Sequence, residues 1–484
     1  MEVNTDYSYL SAVEALRRFR AGDDSPLDVM KSLLDRAEHF SATVNATTAI
    51  HRESALATAR DAERRYRDGS ARPLEGIPVA VKEEMSVAGW HKSVGSLLHD
   101  EVPTTHHPMI DKLIRAGAIP HIQTTVPEFC LIGQTLSRRF GVTRNPWNLA
   151  MTPGGSSGGS GAALAAGLAP VATGSDMGGS IRIPAALCGV YGFKPPFGRL
   201  AAAPGEELFA FAVDGPMART FDDLVLMQNA VAGPHPASYT GMPFHPLPTT
   251  FPGVSGLRIG VAFTTGNGGL CPDTRRNIEQ ACAALELQGA LIEPIELDWD
   301  SNQIGSDLIE AIFGIFFEEY LAELPASEFP KGTAYLHWLM SRYCGRRNSI
   351  LKGARLALAL HQELDRKLWC RGVAALVCPT VFTTAIPADM DLTTERTVDI
   401  EGRHADSYLG WVGTPPFNLV SRCPVIAAPT GLAGNGMPTS MQIVGAPFAD
   451  EVVFRVAAAH ARGPGSELFT RVFPAAVGIP ARGS

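Results

Sequence analysis

The chain has 484 residues, 45% hydrophobic and 19% charged, with a formal net charge of −8. That length buries a large core, as two or three domains or as one large α/β unit, and the acidic balance argues against a nucleic-acid partner or an anionic membrane surface. No apolar run approaches the roughly 18–20 residues of a membrane span, and Met1-Glu2-Val3-Asn4 opens no basic and apolar secretory signal, so the expectation is a cytoplasmic protein without a membrane partner.

The eight cysteines (Cys130, Cys188, Cys271, Cys282, Cys344, Cys370, Cys378, Cys423) form no CxxC pair, which points to buried free thiols in a reducing compartment. Asn45-Ala46-Thr47 fits a glycosylation sequon that carries little weight without an export signal.

In chain order, Ser25 as cap and Pro26 in the first turn open a helix with Leu27, Met30, Leu34 and Ala37 at helical spacing. A second helix is predicted from about Arg52 to Arg67, its alanines on one side. Residues 1–70 read as an N-terminal helical segment packing on a core that runs from 71 to 484. Ile77–Val81 reads as a buried strand that leaves Lys82 at its end. The glycine- and alanine-rich stretch from Met151 to Ser180 holds a short helix of small residues near Ser160–Leu168. Prolines cluster between Gly233 and Gly256, an extended connection dividing the chain. After it come a strand at Leu257–Phe263, a helix from Asp273 stopped by Gly289, and strands near Val373–Cys378, Val425–Ala428 and Met441–Val444. This interleaving predicts an α/β fold, a sheet covered by helices on both faces.

The chemistry concentrates in two glycine-rich turns and one lysine. In Asp176-Met177-Gly178-Gly179-Ser180 two glycines permit a tight turn with converging N–H groups. If Ser180 attacks a carbonyl, the amides of Met177, Gly178, Gly179 and Ser180 are the candidate oxyanion donors; a plain tight turn fits the same residues. In Gly154-Gly155-Ser156-Ser157-Gly158-Gly159, Ser156 can relay a proton, since a hydroxyl donates and accepts at once. A phosphate loop is excluded because no GxxxxGK[ST] follows. The formal GxSxG match around Ser157 lacks the strand a nucleophile elbow needs. Ser349-Ile350-Leu351-Lys352 fits SxxK, without its KTG partner. As a base, Lys82 must be neutral. At its ordinary pKa only about one molecule in 2,500 is so at pH 7, a handicap of roughly 4.6 kcal/mol that burial must remove. No HExxH occurs and His106-His107 beside Pro108 reads as a turn, so no metal and no cofactor is expected.

Thr152–Ser160 and Gly174–Pro184 closely resemble the signature of the amidase signature family. So do Val126-Pro127-Glu128-Phe129, Asn145-Pro146-Trp147-Asn148, Cys188–Pro195 and Pro424–Gly431. The resemblance covers roughly residues 8–462. It implies a single large mixed sheet, a Ser–cis-Ser–Lys triad with Ser180 as nucleophile, Ser156 as bridge and Lys82 as base, Asp176 and Arg182 as an ion pair bracing the loop, and Ser157 supporting the bridge. Where family members usually continue from the lysine with Asp-Asn, this chain has Glu83-Glu84. An inward carboxylate would raise the pKa of Lys82, so Glu83 is expected to turn into its own hydrogen bonds. Pro438-Thr439-Ser440-Met441-Gln442 likewise carries Thr and Ser where glycine is frequent.

The expected activity is hydrolysis of a small-molecule amide, with esters or carbamates as further candidates. The sequence leaves room for a homodimer. A free-standing enzyme is favoured by the aromatic segment 308–345 (Phe313, Phe316, Phe317, Tyr320, Trp338, Tyr343), read as lining an apolar or aryl pocket. The alternative within the resemblance is a glutaminase-type A subunit of a tRNA-dependent amidotransferase, releasing ammonia for a partner protein.

Overall fold

The protein is described from a computed structural model covering residues 7–478 apart from 208, 264–268, 298, 300–302, 312–326, 345–348 and 465–467. Its centre is a mixed sheet of eleven strands. In chain order these are β1 (Thr47–Ile50), β2 (Pro78–Lys82), β3 (Ile119–Thr124), β4 (Val171–Asp176), β5 (Tyr191–Lys194), β6 (Val213–Ala218), β7 (Arg258–Val261), β8 (Leu291–Pro294), β9 (Ala375–Pro379), β10 (Val425–Leu432) and β11 (Pro438–Gly445). The spatial order is β1-β3-β2-β4-β6-β5-β10-β11-β9-β7-β8. Strands from before and after the proline-rich stretch join directly, β5 pairing with β10 from Val425↔Lys194 to Ala427↔Gly192.

Side chains alternate across the sheet with period two, so both faces are apolar and both are covered. Val79, Val81 and Val171 point to one layer, packed with α4 (Pro108–Ala116) and α7 (Phe221–Val231). Ala80, Ala172 and Ala427 point to the other, against α5 (Gly158–Ala165) and α6 (Arg182–Cys188). The residues of α5 are all small, apart from Leu164, and all buried, which lets its backbone lie close on the sheet.

The N-terminal helices α1 (Ala12–Ala21), α2 (Pro26–Val44) and α3 (Arg52–Arg67) follow their local signals. Ser25 Oγ accepts from the amides of Leu27 and Asp28, a cap contributing about 1 kcal/mol. Met30 and Leu34 meet Ala55 and Ala59 over Ile119. The expected strand near 77–81 is Pro78–Lys82, and the helix from Asp273 is α8 (Pro272–Glu286), with Gly289 beyond it at φ +89°. The small-residue helix begins earlier than expected, at Gly158, and ends at Ala165, with Gly167 left-handed at φ +70°. Among the described residues the cysteines form no disulfide, but only Cys188, Cys282, Cys378 and Cys423 are buried; Cys344 and Cys370 are exposed. No helix among the described residues is long and apolar enough to cross a membrane.

Candidate active site

Strands β3, β2 and β4 run parallel, and the site lies at their carboxyl ends, the side on which α/β sheets gather function. Lys82 is the last residue of β2. Its amide donates to Thr173 Oγ1 on β4 at 2.9 Å, fixing the backbone from which the side chain departs. Lys82 is fully buried, and its Nζ donates to Ser156 Oγ and to Ser175 Oγ, each at 2.8 Å.

Ser156 sits in the turn that opens α5, after a cis Gly155–Ser156 peptide. A Cβ on Gly155 would lie 2.3 Å from the Gln134 carbonyl oxygen, so only glycine fits there. Ser157 is wholly buried. Its Oγ bonds the Ser175 carbonyl at 3.4 Å and its amide donates to the Ser180 carbonyl at 3.2 Å, joining the two glycine-rich turns. A buried serine in a loop is no nucleophile elbow, which disposes of the GxSxG reading. The SxxK match fails too: Lys352 pairs with Asp307 and Glu310.

Ser180 is part-exposed, and its Oγ has no hydrogen-bond partner among the described residues. The structure therefore brings Lys82 and Ser156 into contact and holds Ser180 beside Ser157 through the backbone. Of the four amides at the turn, that of Gly179 is committed to Asp176 Oδ1 at 2.9 Å. Those of Met177, Gly178 and Ser180 meet no acceptor among the described residues.

Asp176 and Arg182 form a fully buried ion pair, with Nη2 2.8 Å from Oδ1 and Nε 2.9 Å from Oδ2. Asn418 Nδ2 donates to Asp176 at 2.8 Å, and Arg182 also donates to Gln442 Oε1 and to the Thr414 carbonyl. Burial alone would raise the Asp176 pKa, but the Arg182 charge outweighs it and the carboxyl stays below its ordinary range. Every partner is satisfied, as a buried pair requires. Asn418, Thr414 and Gln442 escaped the sequence reading because they come from segments more than 230 residues downstream.

The two glutamates after Lys82 part company. Glu83 behaves as expected: its Oε1 accepts from the amide and the hydroxyl of Ser93, at 2.6 and 2.7 Å. Glu84 turns inward instead, and its Oε1 lies 2.8 Å from Lys82 Nζ. Burial pulls the Lys82 pKa down, yet its neighbours bring the net shift above the ordinary lysine value. The Cys130 thiol is also close, but burial pushes it up, so it is uncharged near neutral pH. The ion that holds Lys82 is Glu84. The neutral amine required by the sequence reading is thus replaced by an ion pair. Two consecutive left-handed residues, Phe129 (φ 50°) and Cys130 (φ 58°), bring Cys130 to this point, a backbone choice that non-glycine residues rarely make.

A cavity of about 150 Å³ opens against this pair, lined by Glu84, Ser175, Met177, His107, Asp214 and Glu206 together with apolar residues. His107 caps α4, its Nδ1 accepting from the Met109 amide at 3.2 Å. The ring proton therefore sits on Nε2, 3.2 Å from Asp214 Oδ2. Although the ligand atoms of His107, Glu206 and Asp214 lie within 4.8 Å of one another, a protonated Nε2 cannot coordinate a cation, and the cluster reads as an acid–imidazole pair.

Of the aromatic segment, the described Trp338 and Tyr343 are not among the residues lining this cavity. Phe313, Phe316, Phe317 and Tyr320 lie outside the described residues. Tyr343 is core, and Trp338 packs edge-on against Tyr408 with Arg342 and Arg396 over its ring.

The Amidase family model matches residues 28–454. The glutamyl-tRNA(Gln) amidotransferase A subunit of Carboxydothermus hydrogenoformans is 32% identical over 479 residues, covering 93% of this chain and 96% of the relative. That of Symbiobacterium thermophilum is 32% identical over 475 residues with the same coverage. Among solved structures, a bacterial aryl acylamidase of the amidase signature family superposes with a TM-score of 0.87 at 26% identity, over 98% of this chain and 100% of that one.

Proposed function

The chain belongs to the amidase signature family, hydrolases of amide carbon–nitrogen bonds, and from that premise we propose that it cleaves a carboxamide through an acyl-enzyme on Ser180. The observation that carries the proposal is the buried 2.8 Å hydrogen bond from Lys82 Nζ to Ser156 Oγ, in the turn whose Ser157 amide bonds the Ser180 carbonyl. As Ser180 Oγ attacks the carbonyl carbon, its proton leaves through Ser156 toward Lys82. The amides of Met177, Gly178 and Ser180 receive the oxyanion, with Gly179 serving the loop. Collapse expels the amine, which takes its proton by the same relay, and water then hydrolyses the acyl-enzyme. Ser180 Oγ has no hydrogen-bond partner among the described residues, and catalytic hydrogen bonds tighten when substrate binds.

For the substrate, the reading best supported is release of ammonia from glutamine for a protein partner. The curated relatives at 32% identity are amidotransferase A subunits. A second reading, an aryl amide hydrolase acting alone, rests on the match to the aryl acylamidase along its whole length. The purified chain, offered L-glutamine and 4-nitroacetanilide separately, decides between them. Ammonia release from glutamine with no nitroaniline supports the first reading; nitroaniline release with glutamine untouched supports the second. No turnover of either, with Ser180 inert to acylating probes, contradicts the mechanism.

A further inference from the structure

An ammonium already paired with a carboxylate has no room for another proton. Lys82 Nζ faces Ser156 Oγ, Ser175 Oγ and Glu84 Oε1, all at 2.8 Å. Its three donors are thereby accounted for. The Glu84 carboxylate is buried against Lys82, with the Cys130 thiol and the Ser175 hydroxyl as its other polar neighbours. The other ionisable groups around the pair are otherwise engaged. Asp214 holds the His107 ring, Glu83 is bonded to Ser93, Glu206 lies on an exposed stretch of the cavity rim, and the Cys130 thiol is neutral.

We propose that Glu84 is the end of the proton relay, and that Lys82 conducts protons as a permanent cation instead of serving as a neutral base. This rests on the reading of Ser180 as nucleophile. The bond from Ser180 Oγ to the carbonyl carbon forms as the Ser180 proton passes to Ser156. The Ser156 proton passes to Lys82 Nζ, and a different Nζ proton passes to Glu84 Oε1. Lysine ends charged as it began, Glu84 ends neutral, and its negative charge reappears on the oxyanion. When the carbon–nitrogen bond breaks, the proton returns from Glu84 through Lys82 and Ser156 to the leaving nitrogen. Deacylation repeats the cycle with water in place of Ser180. The lysine cation persists throughout, and the negative charge moves from Glu84 to the oxyanion, where the turn amides receive it.

The test compares wild type, Glu84→Gln and Glu84→Asp on whichever of L-glutamine or 4-nitroacetanilide the wild type turns over, and on 4-nitrophenyl acetate. Glu84→Gln is expected to lower kcat on the amide by about 100-fold or more with KM little changed. The loss on the ester should be smaller, since nitrophenolate leaves without a proton, and Glu84→Asp should recover part of the amide activity. The wild-type kcat/KM profile should lose activity with an acidic limb in the carboxylate range while the fold persists by tryptophan fluorescence, and Glu84→Gln should lack that limb. Wild-type or higher kcat in Glu84→Gln overturns the proposal, making the carboxylate a brake on a basic lysine. Should Glu84→Gln not fold, the wild-type limb decides, and a limb near or above pH 7 overturns it. Labelling of wild-type Ser180 by a fluorophosphonate separates the two claims: its absence removes the nucleophile reading, whereas labelling with an indifferent Glu84→Gln removes the role of Glu84 alone.

Discussion

Thr414 Oγ1 donates to the Gly178 carbonyl at 2.6 Å, and a Cβ on Gly179 would stand 2.1 Å from that same hydroxyl. The threonine clasps the turn before Ser180 at the one place where a side chain cannot be added. Gly179→Ala should therefore lower kcat about 100-fold or more, the scale of losing an oxyanion donor. Thr414→Val, which keeps the shape and drops the bond, should lower it about tenfold, with thermal unfolding near wild type. Steady-state kinetics on both variants checks this.

Lys82 and Glu84 make a buried pair whose halves are expensive to separate. Lys82→Met leaves a buried carboxylate alone and should destabilise the fold by about 3 kcal/mol. Lys82→Met with Glu84→Gln should regain most of that loss while remaining inactive. Urea unfolding of the two single variants and the double variant gives the coupling.

The Asp176–Arg182 pair sets an acid limit on the loop. Because the folded-state pKa of Asp176 lies below its ordinary value, its contribution is present at neutral pH and disappears as pH falls through that lowered value. Asp176→Asn should be destabilised at pH 7, by about 3 kcal/mol since Arg182 is left buried without its anion. The gap to wild type should narrow toward pH 2. Urea midpoints across pH 2–7 measure it.

Much of this arrangement was legible in the residues themselves. Ser25-Pro26, the Ile77–Lys82 run and Gly289 are local signals, and their elements formed within a few residues of expectation. Lys82 at a strand end and two serines in glycine cages were equally local, and their chemistry was readable before any geometry. What stayed hidden depends on direction or distance. Glu83 and Glu84 are adjacent and identical in type, yet one faces Ser93 and the other Lys82; alternation at the end of a strand does not say which. Asn418, Thr414 and Gln442 reach the loop only through tertiary folding. Trp338 and Tyr343 pack away from the cavity, since apolar residues at helical spacing mark a core and a pocket wall alike.

Lys194 is buried without a carboxylate, donating to the carbonyls of Pro195 and Ser421, each at 3.2 Å. Burial, helped by the Arg182 charge, lowers its pKa to about 7. Between about pH 7 and 10 the unfolded chain then binds a proton the folded one lacks, so stability rises with pH there, by up to about 1.4 kcal/mol per pH unit for one proton. Lys194→Met should remove that slope. Denaturant unfolding of both proteins at pH 7, 8.5 and 10 tests the difference.

The nucleophile itself is the most direct object of measurement. Wild-type protein treated with a fluorophosphonate and mapped by peptide mass spectrometry should carry one adduct, on Ser180. It should be absent in Ser180→Ala and strongly slowed in Ser156→Ala and Lys82→Met. An adduct on Ser156 or Ser157 instead, or unchanged labelling after loss of Lys82, would contradict the relay on which the proposed chemistry depends.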